Sequence, residues 1–204
     1  MYMTLEILES ETQLKNIQVY GNDYVPESVN IAREVWKKGR DLPAQAIQGQ
    51  ICAGDSRDLL HVPDASFDLV YTGYITPMMD PLHFNGTSDY NYGRLTEICE
   101  AKTDPARVRL AAKAQKTQED WYGAWVGEMI RIAKPGAPVI VEQVSYPFCG
   151  AYYDWGGVEQ EFWPAAIGRY KWDVDPKSFV FERDTIFRKR YHVSMKKKSR
   201  PTSE

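Results

Sequence analysis

From Asp120 to Ser145 the chain reads as a helix, a stop and a buried strand in direct succession: "DWYGAWVGEMIRIAKPG", then "APVIVEQVS". Apolar residues at helical spacing predict an amphipathic helix, and Pro135-Gly136 cannot continue it. The near-continuous apolar run that follows suits a parallel strand covered on both faces. The same order occurs upstream. "NIQVYGND" predicts a strand ending in a turn. "PESVNIAREVWKKG" predicts a helix with Pro26 in its first turn, Val29, Ala32, Val35 and Trp36 on one face, and Gly39 at its end. "AIQGQICAGD" and "SFDLVYTG" predict two more strands, "SRDLL" a short helix capped by Asp55 or Ser56, and "TLEILESETQL" a helix at the start of the chain. Strands alternating with helices prescribe an α/β fold, doubly wound around a mostly parallel sheet.

The rhythm changes near the end. The segments 178–182 and 185–195 are both β-rich and are separated only by "RD". A parallel crossover needs a dozen or more residues, so these two strands form an antiparallel hairpin. A long insertion over about 76–117 interrupts the alternation, as lids and binding elements do, and "PARVRLAAKAQKTQ" predicts a helix within it. The expected organisation is one domain over 1–195 and a basic, disordered tail over 196–204.

Composition narrows the function classes. The 204 residues carry a net charge of −3, with no basic footprint for nucleic acid or an anionic membrane. No apolar run approaches the ~20 residues a membrane helix needs, and no signal peptide pattern opens the chain. Cys52, Cys99 and Cys149 are far apart, which suggests reduced thiols in a cytoplasmic protein and neither a zinc site nor disulfides.

In open α/β sheets, ligands sit at the carboxyl ends of the strands. Asp23 ends the first visible strand, where a carboxylate can accept two hydrogen bonds from a ribose diol. Asp55 ends the next and can accept from an exocyclic amine such as adenine N6, while Tyr24 can pack an adenine face. Thr72, Gly73 and Tyr74 follow the third strand and point a reactive group into the crevice. Taken singly, Asp23 reads equally as a turn residue, and Asp55 reads more readily as a helix cap than as a ligand. Their joint placement is what points to a cofactor.

With those segments in place, the chain from about residue 17 onward resembles the class I S-adenosylmethionine-dependent methyltransferases. "VYGNDYVPESVNIAREV" is similar to the segment whose acidic residue holds the cofactor ribose, which implies that role for Asp23. "GDSRDLLHVPDASFDLVYTGYI" is similar to the adenine-contacting Gly-Asp segment and fourth strand of that fold. It implies Asp55 and the Ser56 amide at the adenine, and Thr72 and Gly73 near the methionine moiety or the methyl acceptor. "WVGEMIRIAKPGAPVIVE" resembles the helix-Lys-Pro-Gly-strand block that ends the family's core. The implied cofactor is S-adenosylmethionine.

One family feature is missing. These enzymes open with a strand and a GxGxG-type turn beneath the cofactor, and this chain has no glycine before Gly21. "MYMTLEILESETQL" resembles the helix after that turn. The expectation is an N-terminally truncated fold lacking the central strand between 17–22 and 66–72. Three accounts stand: an incomplete copy of an active enzyme, a fold completed by a partner chain, or a non-catalytic relative.

The acceptor expected is a small molecule. Aromatics gather in the insertion and after the last core strand (Phe84, Tyr90, Tyr92, Trp121, Tyr122, Trp125, Tyr146, Phe148, Tyr152, Tyr153 and Trp155), where they can line an apolar pocket or cage a quaternary ammonium. Helix-face aromatics such as Trp125 read more readily as core. Tyr74, Asp80, His83 and Glu142 are candidate bases, with Tyr74 and His83 taken as the catalytic pair. Nucleic acid and membrane partners are not expected, and a homo-oligomer is compatible with the sequence. The competing readings are a non-enzymatic interaction module on the same fold and a dinucleotide-binding domain.

Overall fold

The computed structural model describes residues 17–37, 46–72, 103–146, 157–185 and 190–199. They belong to two compact units, Met1–Leu60 and His61–Glu204.

In the first unit, β1 (Ile17–Asp23) pairs in parallel with β2 (Ala46–Ala53), and α1 (Pro26–Lys37) joins them. The Asp23 carboxylate turns the chain by accepting from Val25 N at 2.8 Å. Pro26 then supplies a helical φ, and Glu27 places an acid where the helix dipole favours one. Val29 and Ile51 are 1% and 5% exposed and pack with Val19 and Ala32; of the anticipated face, Val29 is buried, Ala32 and Val35 are half-buried, and the Trp36 side chain lies outside what is described. Arg33 ties α1 to β2 through two bonds to Ile51 O, at 3.0 and 2.6 Å. The "TLEILESETQL" helix lies outside the described residues. "SRDLL" is not a helix: Arg57 N donates to Asp55 Oδ1 at 2.9 Å and Asp58 N to Asp55 O at 3.0 Å, which closes a turn instead. One turn is too short to recover the cost of helix nucleation, and the aspartate side chain offers the backbone an alternative partner.

The second unit holds a four-stranded sheet in the order β3-β4-β6-β5, formed by β3 (Val70–Thr72), β4 (Pro138–Ser145), β5 (Val180–Arg183) and β6 (Arg190–Lys196). β3 and β4 are parallel, and β6 runs antiparallel to both of its neighbours, β4 and β5. The antiparallel pairing at the C-terminus is as anticipated, and residues 186–189, between the two strands, lie outside the described residues.

Among the described residues, which stop at Thr72, the apolar run at "SFDLVYTG" is in strand from Val70, later than the run itself begins. Its first amides are spent elsewhere: Ala65 N bonds Arg131 O, and Ser66 N and Phe67 N both bond Ile132 O, at 3.0, 2.7 and 3.0 Å. A helix end leaves four carbonyls without intrahelical partners, and this segment satisfies part of that need.

That helix, α2 (Pro105–Ile132), is 28 residues long, about 42 Å at helical rise. It merges two segments that read separately in sequence, "PARVRLAAKAQKTQ" and "DWYGAWVGEMIRI". Asp104 caps its start by accepting from Ala106 N at 2.9 Å. Its end is capped by Lys197, whose Nζ donates to Arg131 O and Ala133 O at 3.0 and 2.9 Å. The basic segment expected to be a free tail therefore begins inside β6 and continues into this cap. A further helix, α3 (Phe162–Tyr170), was not anticipated, and it buries Phe162, Trp163 and Ala166.

Register partners share a face of the sheet. Val70, Thr72, Val139, Val141, Val193 and Met195 form its buried face, and Tyr71, Ile140, Glu142, His192 and Ser194 its half-buried one. The core is strongly aromatic: Tyr122, Trp125, Phe162, Trp163, Trp172 and Tyr191 are all under 9% exposed. Trp125 and Tyr122 are thus core residues rather than pocket walls. Gly123 is required by this packing, because a Cβ there would lie 2.5 Å from the Tyr170 ring.

Candidate functional site

The first unit brings four of the predicted site residues to one edge. Asp23 is the last residue of β1 and is paired in register with Ala53, the last of β2. Gly54 N donates to Asp23 O at 2.9 Å, carrying the parallel pairing one step past the strand. Asp55 and Ser56 follow directly. Asn22, which sequence reasoning passed over, joins the two loops: its Nδ2 donates to Gly54 O and Ser56 Oγ, both at 3.0 Å. Asp23, Tyr24, Asp55 and Ser56 therefore stand together at the carboxyl edge of β1 and β2, with the Tyr24 ring 61% exposed.

Their bonding states differ. Asp23 commits Oδ1 to Val25 N, and its Oδ2 accepts nothing from the described residues. Ser56 N–H likewise donates to no described group. Asp55 is fully engaged by one neighbour. Oδ1 accepts from Arg57 N and Nε, both at 2.9 Å, and Oδ2 accepts from Nε at 3.0 Å and from Nη2. The Arg57 side-chain hydrogen bonds hold the Asp55 carboxyl below its usual value, against a smaller opposing effect of burial. The fork–fork geometry also raises the guanidinium value. An arginine two residues after the aspartate is all that the sequence offers of this pair, and the two side chains meet only because a turn stands where a helix was expected.

In the second unit, Thr72 closes β3 and is 7% exposed. Its neighbour Tyr71 donates from its hydroxyl to Glu142 Oε2 at 2.5 Å, across the parallel β3–β4 pair. All five buried polar residues of the described set lie at this end of the unit. Thr72 and Ser145 close their strands, Arg190 opens antiparallel β6, Asp184 follows β5, and Gln118 lies on α2. The level of Gln118 on the helix follows from Gln115 one turn away, whose Nε2 donates to Gly157 O at 3.1 Å. Gly157 in turn sits so close to Ser145 O that a Cβ would be 1.8 Å from it. Beyond Asp184, His192 Nε2 lies 3.4 Å from the Asp184 carboxylate, while its Nδ1 accepts from Gln143 N at 3.4 Å.

Gly73, Tyr74, Asp80 and His83 lie outside the described residues, as do Phe84, Tyr90, Tyr92, Phe148, Tyr152, Tyr153 and Trp155. No group of three or more His, Cys, Asp or Glu among the described residues is arranged to hold a metal ion. No described helix is long and apolar enough to cross a membrane.

No protein-family model matches the sequence, and no curated protein matches it. Solved structures do share its architecture. A SAM-dependent methyltransferase from Methanosarcina mazei is 11% identical at a TM-score of 0.54, with 97% of this chain and 87% of that one covered. The YcgJ protein of Bacillus subtilis is 10% identical at 0.50, over 98% of this chain and 100% of the other. The S-adenosylmethionine-dependent methyltransferase SibL is 10% identical at 0.50, over 97% and 47%. The chain spans about half the length of several of the solved proteins it matches. Parallel strands joined through helices, an antiparallel strand inserted between β4 and β5, and these likenesses together assign the chain the α/β fold of the class I S-adenosylmethionine-dependent methyltransferases.

Proposed function

We propose that the chain binds S-adenosylmethionine through its nucleoside half and serves methyl transfer to a small-molecule acceptor. The observation that carries this reading is the carboxyl edge of β1 and β2. Two adjacent strand ends present an open carboxylate oxygen on Asp23 and an open amide on Ser56, beside the exposed ring of Tyr24. A ribose diol needs an acceptor, an adenine ring nitrogen needs a donor, and its face needs an apolar surface. The residues present fit those needs.

Bound S-adenosylmethionine supplies an electrophilic methyl on a sulfonium. The protein's share is then positioning and uptake of the acceptor's proton. Tyr74 and His83 are the proposed groups for that proton. Glu142, within β4 and already hydrogen-bonded by Tyr71, is an alternative.

The test is calorimetric titration of the chain with S-adenosylhomocysteine. The expected result is micromolar binding by the native sequence and a loss of roughly tenfold or more in Asp23→Ala, the equivalent of at least one charge-assisted hydrogen bond. Absence of binding by the folded chain overturns the cofactor reading. A second reading, a non-catalytic module on the same fold, is favoured by the Asp55 carboxylate being occupied by Arg57. It predicts that absence.

A further inference from the structure

The nucleoside site above has one feature its assignment does not explain: both oxygens of the group meant for the exocyclic amine are already occupied. A carboxylate offers about four lone-pair positions. At Asp55 both oxygens are taken up by three N–H groups of one residue: Arg57 N on Oδ1, Nη2 on Oδ2, and Nε sharing its one hydrogen between the two. Adenine's amine is a planar N–H donor, and so is the guanidinium, so the two compete for the same lone pairs.

We propose that Arg57 is a displaceable internal occupant of the amine subsite, so that an aminopurine nucleoside binds Asp55 by exchanging with the guanidinium. The inference rests on the nucleoside-site reading of this edge and specifies which residue sets its affinity and its preference for an amine.

Two observations make the exchange physically reasonable. First, the pair is not sealed: the side chains are 22% and 33% exposed, so the released guanidinium can be solvated. Partly exposed ion pairs are weak enough to open. Second, the two kinds of contact that Arg57 makes with Asp55 are separable. The backbone bond Arg57 N to Asp55 Oδ1 shapes the turn, and Asn22 holds Ser56 Oγ and Gly54 O independently. Removing only the side chain leaves the loop's own bonds in place and clears the carboxylate.

The test compares the native chain with Arg57→Ala and Arg57→Lys, titrated with S-adenosylhomocysteine and with its inosine counterpart, which has a carbonyl in place of the amine. Circular dichroism confirms folding in each. The expected result is that Arg57→Ala binds the adenosine compound about three- to tenfold more tightly, as loss of a partly exposed pair allows. Arg57→Lys falls between, and the inosine compound shows no such gain. A merely structural role for Arg57 would move both ligands alike. Unchanged or weaker binding of the adenosine compound by Arg57→Ala overturns the inference and leaves the site reading standing. No binding by either folded chain removes the site, and the inference with it.

If Arg57→Ala does not fold, the native chain and uncharged adenosine give the same answer. Raising salt from about 50 mM to about 500 mM screens the internal pair. Affinity that rises about twofold supports exchange, and affinity that stays flat or falls overturns it.

Discussion

Tyr191 sits at the junction of three segments. Its hydroxyl donates to Val158 O at 2.5 Å and accepts from Trp163 Nε1 at 2.8 Å, in a core where its ring is fully buried. Burial pushes its phenol far above the usual value. Tyr191→Phe keeps the ring and strands both partners. The expected destabilisation is about 2–3 kcal/mol, or about 5–10 °C in Tm for a chain of this size, measurable by differential scanning calorimetry. A loss below ~0.5 kcal/mol would mean the two partners find other bonds. At this same scale, the acids after each strand were readable because strand ends are legible from apolar runs. The claim of Arg57 on Asp55 was not, because pairing two residues apart depends on the turn closed by Arg57 N, which "SRDLL" read as helix conceals. Trp125 and Tyr122 belonged to the core for a reason only partners supply: Phe162 and Trp163, on a helix with no clear sequence signal, pack against Tyr122.

At the scale of elements, β4 shows how one inserted residue redirects a strand. Its register with β6 runs Val139↔Met195 and Val141↔Val193, then Val144↔Tyr191, so Glu142 and Gln143 together oppose His192. This β-bulge shifts the alternation by one, and Val144 is buried on the side of Val141 rather than turned away. Gln143 carries the distortion at φ +52°. Replacing it with glycine should be neutral or stabilising by up to ~1 kcal/mol, whereas valine, branched at Cβ, should cost about 1–2 kcal/mol. Urea unfolding of the two variants checks this, and equal stabilities would remove the strain from the account. The sequence pattern "VIVEQVS" conveyed a buried strand but not the bulge, because an apolar run has no phase to interrupt. α2 was split in reading for a related reason. Its first half is polar and reads as an insertion, and only the continuous backbone joins it to the apolar half.

At the scale of the whole molecule, the two units differ in how much holds each together. Among described residues the first has two strands, one helix and three buried apolar residues, Val29, Ile51 and Leu59, while the second has a four-stranded sheet over an aromatic core. Local stability follows buried apolar contact. Amides of β1, α1 and β2 should therefore exchange with solvent at least ~10-fold faster than those of β4 and β6, read by hydrogen-exchange mass spectrometry. Uniform protection across both sheets would contradict it. The order β3-β4-β6-β5 was only partly legible. Alternating segments dictated α/β layering and the close C-terminal strands dictated antiparallel pairing, but nothing local says that β6 inserts between β4 and β5.

Asn22 carries a last consequence. Because its one amide group holds both Gly54 O and Ser56 Oγ, the loop after β2 is registered to the end of β1 before any ligand arrives. The freedom of those two segments to drift apart is surrendered during folding, not during association. A ligand that spans both loops meets a preset spacing, and less of its gross attraction is lost to immobilising them. The penalty of replacing Asn22 would then reside chiefly in the entropy of binding, with every ligand contact still made.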